Sequence, residues 1–211
     1  MFKDDFEDET LDARYQGVRR SISKEWANTT DRKGYLRISL TQDNNLKNPM
    51  IVATKVLETH FSFYTQLDFE PQNDKQKAGL VAYYSSELWY LLHISGAHQH
   101  GKRYLQIRSY DKTILTDHLE HPVDISDHKS VQLKISLEEG KILFYYSVIK
   151  HQWHKIGSSL STKAVDFEKL KSQDKADQTS KTPIQIGMCL VDSSHYGIHA
   201  DFTNFKYIPN Q

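Results

Sequence analysis

Apolar and polar residues alternate one by one through the middle of this chain, and a period of two argues for strands rather than helices. Phe61, Phe63, Leu67 and Phe69 fall on one face of an extended segment, with Ser62, Tyr64, Gln66 and Asp68 on the other. Val131, Leu133, Ile135 and Leu137 alternate with Gln132, Lys134 and Ser136 in the same way. Glu138-Glu139-Gly140-Lys141 follows, with a glycine where a tight turn needs positive φ. Ile142, Phe144, Tyr146 and Val148 then resume the alternation. This pattern predicts a hairpin that aims its large side chains at one core, each contributing roughly 1.5–3 kcal/mol when fully buried.

Further strands are predicted at 35–40, 79–84, 89–94, 104–110, 184–190 and 200–207. Ser85-Ser86-Glu87 reads as a turn between two of them, and Gly96 and Gly101 bracket a polar loop. One short helix is predicted near 164–170, followed by the polar, aperiodic stretch Lys171 to Lys181, which reads as a mobile loop. Many short strands with turns between them and little helix predict an all-β fold, a two-sheet antiparallel β-sandwich. Aromatic segments with acids at their edges stand at both ends, Asp4-Asp5-Phe6 and Ala200-Asp201-Phe202, so the first and last strands are expected to be neighbours. A length of 211 residues suits one large all-β domain over 1–211.

The charge balance narrows the partners. Lys+Arg and Asp+Glu each number 27, so the chain lacks the positive field of a general nucleic-acid or anionic-membrane binder. Lys75-Gln76-Lys77 is short and reads as a solvated turn. The single cysteine, Cys189, lies between Met188 and Leu190 and is expected to pack as a small apolar side chain. The opening residues show no basic segment followed by an apolar one, and no run approaches 18 apolar residues. The expectation is a cytoplasmic chain with neither nucleic acid nor membrane as partner.

Catalytic constellations are weak. His98-x-His100 and His151-x-x-His154 are the nearest approach to zinc-ligand spacing, without an evident third ligand. Asp192, Ser193, Ser194 and His195 contain the residue types of a serine triad but no nucleophile elbow. Glycoside hydrolysis needs two carboxyl groups about 5–10 Å apart, and 27 acids supply such pairs by chance. Calcium needs several hard oxygens, and Asp4, Asp5 and Asp201 are candidate ligands for a structural ion if the terminal strands meet. Aromatics on strands can stack on sugar rings. Trp89, Tyr84 and Trp153 are the candidate carbohydrate-binding residues; in Tyr83-Tyr84 and Tyr145-Tyr146 one residue of each pair is expected to face inward.

Several segments also carry a family resemblance. Leu11-Asp12-Ala13-Arg14-Tyr15, Gly34-Tyr35-Leu36-Arg37 and His60-Phe61-Ser62-Phe63 occur in that order. Ala78-Gly79-Leu80-Val81-Ala82-Tyr83-Tyr84, Gly187-Met188-Cys189 and Ala200-Asp201-Phe202 follow. Together with Asp4-Asp5-Phe6, they resemble the C-terminal concanavalin A-like β-sandwich of β-xylosidases and arabinofuranosidases in glycoside hydrolase family 43. The resemblance covers essentially the whole chain. It implies a jelly-roll domain that follows a five-bladed catalytic β-propeller, packs on it and sends a loop toward its pocket. No catalytic residue carries over, because the propeller holds the catalytic acids. Relatives are expected to carry Phe-Thr-Gly before the Gly-Met-Cys strand; Lys181-Thr182-Pro183 stands here, a departure at the pocket-closing loop. The functional expectation is a non-catalytic accessory domain with a propeller partner, in cis or as a separate chain. The alternative is an independent binding module for xylo-oligosaccharides, and a standalone hydrolase is a third, weaker reading.

Overall fold

Extended backbone pairs into two antiparallel sheets in the computed structural model, which describes residues 1–40, 49–56, 58–97, 101–150, 152–162, 184–194 and 197–210. The strands in chain order begin with β1 (Phe2–Asp4), β2 (Gln16–Gly17), β3 (Ala27–Asn28) and β4 (Leu36–Ser39). Next come β5 (Met50–Val56), β6 (Phe61–Asp68), β7 (Gln76–Ser85) and β8 (Leu88–Gly96). β9 (Arg103–Asp111), β10 (Ile114–Asp117), β11 (Val123–Asp124) and β12 (Ser130–Glu138) follow. The last are β13 (Lys141–Ser147), β14 (His154–Ser161), β15 (Ile184–Asp192) and β16 (His199–Pro209). The first sheet runs β14-β13-β12-β6-β16-β4-β3, with β1 also on β16. The second runs β10-β9-β8-β7-β15-β5-β2, with β11 also on β9.

The inner faces share one core. Leu36, Phe63, Leu67, Leu133, Phe144 and Phe202 from the first sheet join Leu80, Leu92, Ile107, Ile186 and Met188 from the second. On β6 the burial alternates along the strand as the sequence pattern predicts, with Thr65 as an added inward residue. The predicted hairpin is β12 and β13, in register from Gln132 opposite Ser147 to Glu138 opposite Lys141. Its turn residues Glu139 and Gly140 have φ of 48° and 70°, the two positive values of a type I′ turn. Tyr146 and Val148 are only partly buried against the core, while the other six predicted inward residues are buried.

The terminal strands meet as expected: β1 pairs with β16, Phe2 opposite Tyr207 and Asp4 opposite Phe205. Strands β5 and β14 were not among the predicted ones. β5 is nearly all buried, so its sequence lacks alternation. β14 is mostly exposed and rich in serine. The predicted helix near 164–170 and the stretch Lys171 to Lys181 lie outside the described residues.

Candidate functional site

A groove of about 580 Å³ lies on the outer face of the first sheet. Its floor follows from the alternation: turning Phe61, Phe63 and Leu67 inward leaves Ser62, Tyr64 and Gln66 outward, and Ser130, Gln132 and Lys134 line it from β12. Trp153 comes from the connection between β13 and β14 and reaches over β12 to β6. Its ring meets Tyr64 edge-on, with centroids 5.7 Å apart at 67°. The Lys134 Nζ lies 4.5 Å from the Tyr145 ring centroid and 5.4 Å from that of Trp153. Burial lowers the Lys134 ammonium from its usual pKa, with Glu138 acting weakly the other way.

The opposite wall depends on a bulge. In β16 the register shifts between Thr203 and Lys206: these four residues lie opposite only three of β6, Gln66, Thr65 and Tyr64. Strict alternation would point Phe202 and Phe205 to opposite faces. The extra residue, with Asn204 at φ 53°, lets both phenylalanines enter the core and turns Lys206 outward opposite Tyr64. The Lys206 Nζ then sits 5.2 Å from the Tyr64 ring centroid. Asparagine tolerates this left-handed conformation better than most residues. Lys206 and Tyr64 were not singled out in the sequence; the odd Phe202-to-Phe205 spacing was the available signal.

Among the carbohydrate candidates, Trp153 lines this groove. Tyr84 does not: it is buried between the sheets, edge-on to Tyr90, because its position on β7 faces the core. Trp89 is 7% exposed and belongs to a separate apolar cluster on the outer face of the second sheet. It stacks on Tyr110 at 5.8 Å and 19°, beside Tyr83, Leu91 and Cys189. Both residues therefore act as packing aromatics. Cys189 is buried, and burial raises its thiol pKa well above the usual range. Of the two tyrosine pairs, Tyr145 faces out and Tyr146 packs toward the core, whereas Tyr83 and Tyr84 are both buried.

The proposed calcium ligands do not converge. Asp201 accepts from Arg37 Nε and Nη2 at 2.7 and 2.8 Å and from Arg32 Nη1 at 3.0 Å. Arg32 Nη2 also pairs with Asp68 at 2.8 Å. Burial by itself would raise the Asp201 carboxyl; hydrogen bonds from Arg37 and Arg32 outweigh it and hold the pKa below the ordinary value. A cation at Asp201 would therefore face two guanidiniums. Asp4 sits opposite Phe205, four residues along β16 from Asp201, roughly 10 Å away or more. Its carboxyl accepts from the Phe6 N–H at 2.8 Å, and Asp5 is exposed. No group of three or more His, Cys, Asp or Glu suited to a metal occurs among the described residues.

Asp192 and Ser194 form a loop anchor. Asp192 accepts from the Ser194 N–H at 2.6 Å and from Gln76 Nε2 at 3.0 Å, tying the end of β15 to the start of β7. His195, His98, His100, His151 and Lys181-Thr182-Pro183 lie outside the described residues. No helix among the described residues is long and apolar enough to cross a membrane.

Comparison with known proteins gives a consistent outcome. The family described as "Beta xylosidase C-terminal Concanavalin A-like domain" matches residues 3–208. A beta-xylosidase of Bacillus subtilis (strain 168) is 31% identical over 97% of this chain, which spans 38% of that protein. A putative beta-xylosidase of Escherichia coli (strain K12) is 27% identical over 99% of the chain, again with 38% of the relative covered. The crystal structure of a xylan beta-1,4-xylosidase from Bacillus halodurans C-125 superposes with a TM-score of 0.84 at 25% identity. That match covers 98% of this chain and 38% of the other.

Proposed function

Because the chain belongs to the beta-xylosidase C-terminal concanavalin A-like domain family, we propose that it serves as the accessory sandwich of a family 43 glycosidase, packing on the catalytic propeller and helping shape its pocket. The observation that carries this reading is the match over residues 3–208, set against coverage of only 38% of the Bacillus subtilis relative. The matched family is an accessory domain, so catalytic acids belong to the remainder of such an enzyme. Ion pairing at Asp201 fits that division, since a carboxyl whose pKa arginines hold down is a poor general acid.

A chimera tests the proposal. The matched part of the Bacillus subtilis beta-xylosidase is replaced by this chain, and aryl-xyloside hydrolysis and thermal unfolding are compared with those of the truncated enzyme. The expected result is activity above the truncated enzyme and one shared unfolding transition. Independent melting of the two parts, with activity no higher than the truncation, would overturn it.

The Trp153 groove favours a second role compatible with the first, the binding of a sugar chain. Aromatic rings beside amides and hydroxyls are the means by which proteins hold sugars.

A further inference from the structure

We propose that the groove on the first sheet receives an acid-bearing sugar unit of a glycan, a pyranoside carrying a carboxylate. The inference rests on the sugar-binding reading above and adds the class of ligand. In a chain whose formal net charge is zero, the described residues lining this groove include Lys134, Lys150 and Lys206 and no aspartate or glutamate. Neither Lys134 nor Lys206 forms an ion pair with a described residue; each ammonium rests instead against aromatic rings.

Two of the neighbouring acids are already engaged by arginines, and the third stands at the end of its strand. Asp68 and Asp201, further along β6 and β16, are held by Arg32 and Arg37. Glu138 lies at the far end of β12, opposite Lys141. An ammonium offers three donors and no acceptor, so lysines without carboxylates leave the groove rich in donors. A neutral sugar brings hydroxyls that both give and take hydrogen bonds. A carboxylate only accepts, and its charge complements the lysines. Tyr64 and Trp153 meet edge-on between the two ammoniums, which places apolar ring surface beside the charges. A sugar ring against the aromatics and its carboxylate toward Lys134 or Lys206 would use both features. The groove also has a purpose-built wall: without the bulge at Asn204, Lys206 would not lie opposite Tyr64.

Calorimetry on the chain tests this with four probes. They are a xylo-oligosaccharide bearing one glucuronic acid, the same molecule with its carboxyl reduced to an alcohol, an oligogalacturonate, and polyglutamate of matched charge. The expected result is at least about tenfold tighter binding of the acid-bearing xylo-oligosaccharide than of its reduced form, from one charge-assisted hydrogen bond or more. That preference should fall with added salt and vanish in Lys134→Met with Lys206→Met. Trp153→Ala should weaken both the acid-bearing and the reduced sugar. If oligogalacturonate binds as well, the carboxylate is recognised on either backbone and the proposal stands. Equal binding of the acid-bearing and reduced forms would overturn the acid preference while leaving sugar binding intact. Polyglutamate binding as tightly as the sugar would overturn it in favour of a general cationic face. No binding by any probe would remove the sugar-binding reading as well. Should the double lysine variant fail to fold, the salt dependence of the acid preference in the unsubstituted chain decides: a preference that falls with salt supports the proposal, and one that salt leaves unchanged overturns it.

Discussion

On the outer face of the second sheet, Tyr83, Trp89, Leu91 and Cys189 pack into an apolar cluster that leaves them buried. On the outer face of the first sheet, Tyr64, Tyr145 and Trp153 stand half-exposed among lysines, amides and serines. Aromatic residues on strands thus serve as packing on one face and as the walls of a groove on the other. What separates the faces is the company each aromatic keeps. Trp89 lies opposite Tyr83 and Tyr110, so rings meet rings and water is excluded. Tyr64 lies opposite Lys134 and Lys206, whose ammonium groups stand beside the aromatic rings and keep this face polar.

Substitution at the two tryptophans would break this contrast most sharply. Trp89→Ala empties a buried site and should cost about 4 kcal/mol in urea unfolding. Trp153→Ala should cost about 1 kcal/mol or less, because it loses an edge-on ring contact at a partly exposed position. Equal losses at the two sites would mean that the groove wall is structural rather than available to a ligand.

A somewhat smaller effect is expected at the ion pairs that close one end of the first sheet's outer face. Asp201→Ala leaves Arg37 and Arg32 without their shared carboxylate. The cost should be roughly 3 kcal/mol, the low end for a buried pair because both guanidiniums keep some contact with water. The pH dependence follows from the lowered Asp201 pKa. Above the ordinary pKa of 3.8 the carboxylate contributes its full stabilisation, which is lost as pH falls through the lowered folded value. Unfolding curves of wild type and variant should therefore converge in acid. A gap that persists undiminished at low pH would show that the ion pairs are not the source of the loss.

The bulge sharpens the comparison at the smallest scale. Asn204→Val puts a β-branched side chain at φ 53°, where it is strained, and should cost about 1–2 kcal/mol. Asn204→Gly should be nearly neutral in stability. If the valine variant unfolds like wild type, the local geometry at this bulge is not constrained as described.

The sandwich itself was legible residue by residue. Phe61 to Phe69 and the hairpin from Val131 to Val148 announced their inward faces by simple alternation, because a half-buried strand must divide its side chains between core and water. β5 did not, since a strand buried on both faces reads like any apolar run. The pairing of the terminal strands followed from their aromatic composition, but the separation of Asp4 from Asp201 did not. Register decides which residues face each other, and here it set Asp4 against Phe205 and Asp201 against Arg37.

By itself, the sequence determined that the chain is all-β, that it forms an antiparallel sandwich, and to which family it belongs. These depend on local alternation and on runs of residues, both of which are visible along one dimension. Only the tertiary structure decided that Trp89 and Tyr84 are buried while Trp153 is not, and that Lys206 stands beside Tyr64. Alternation assigns a residue to one side of a sheet; whether that side is packed or open depends on chain segments far away in sequence. A one-residue bulge can then reverse the assignment for everything beyond it.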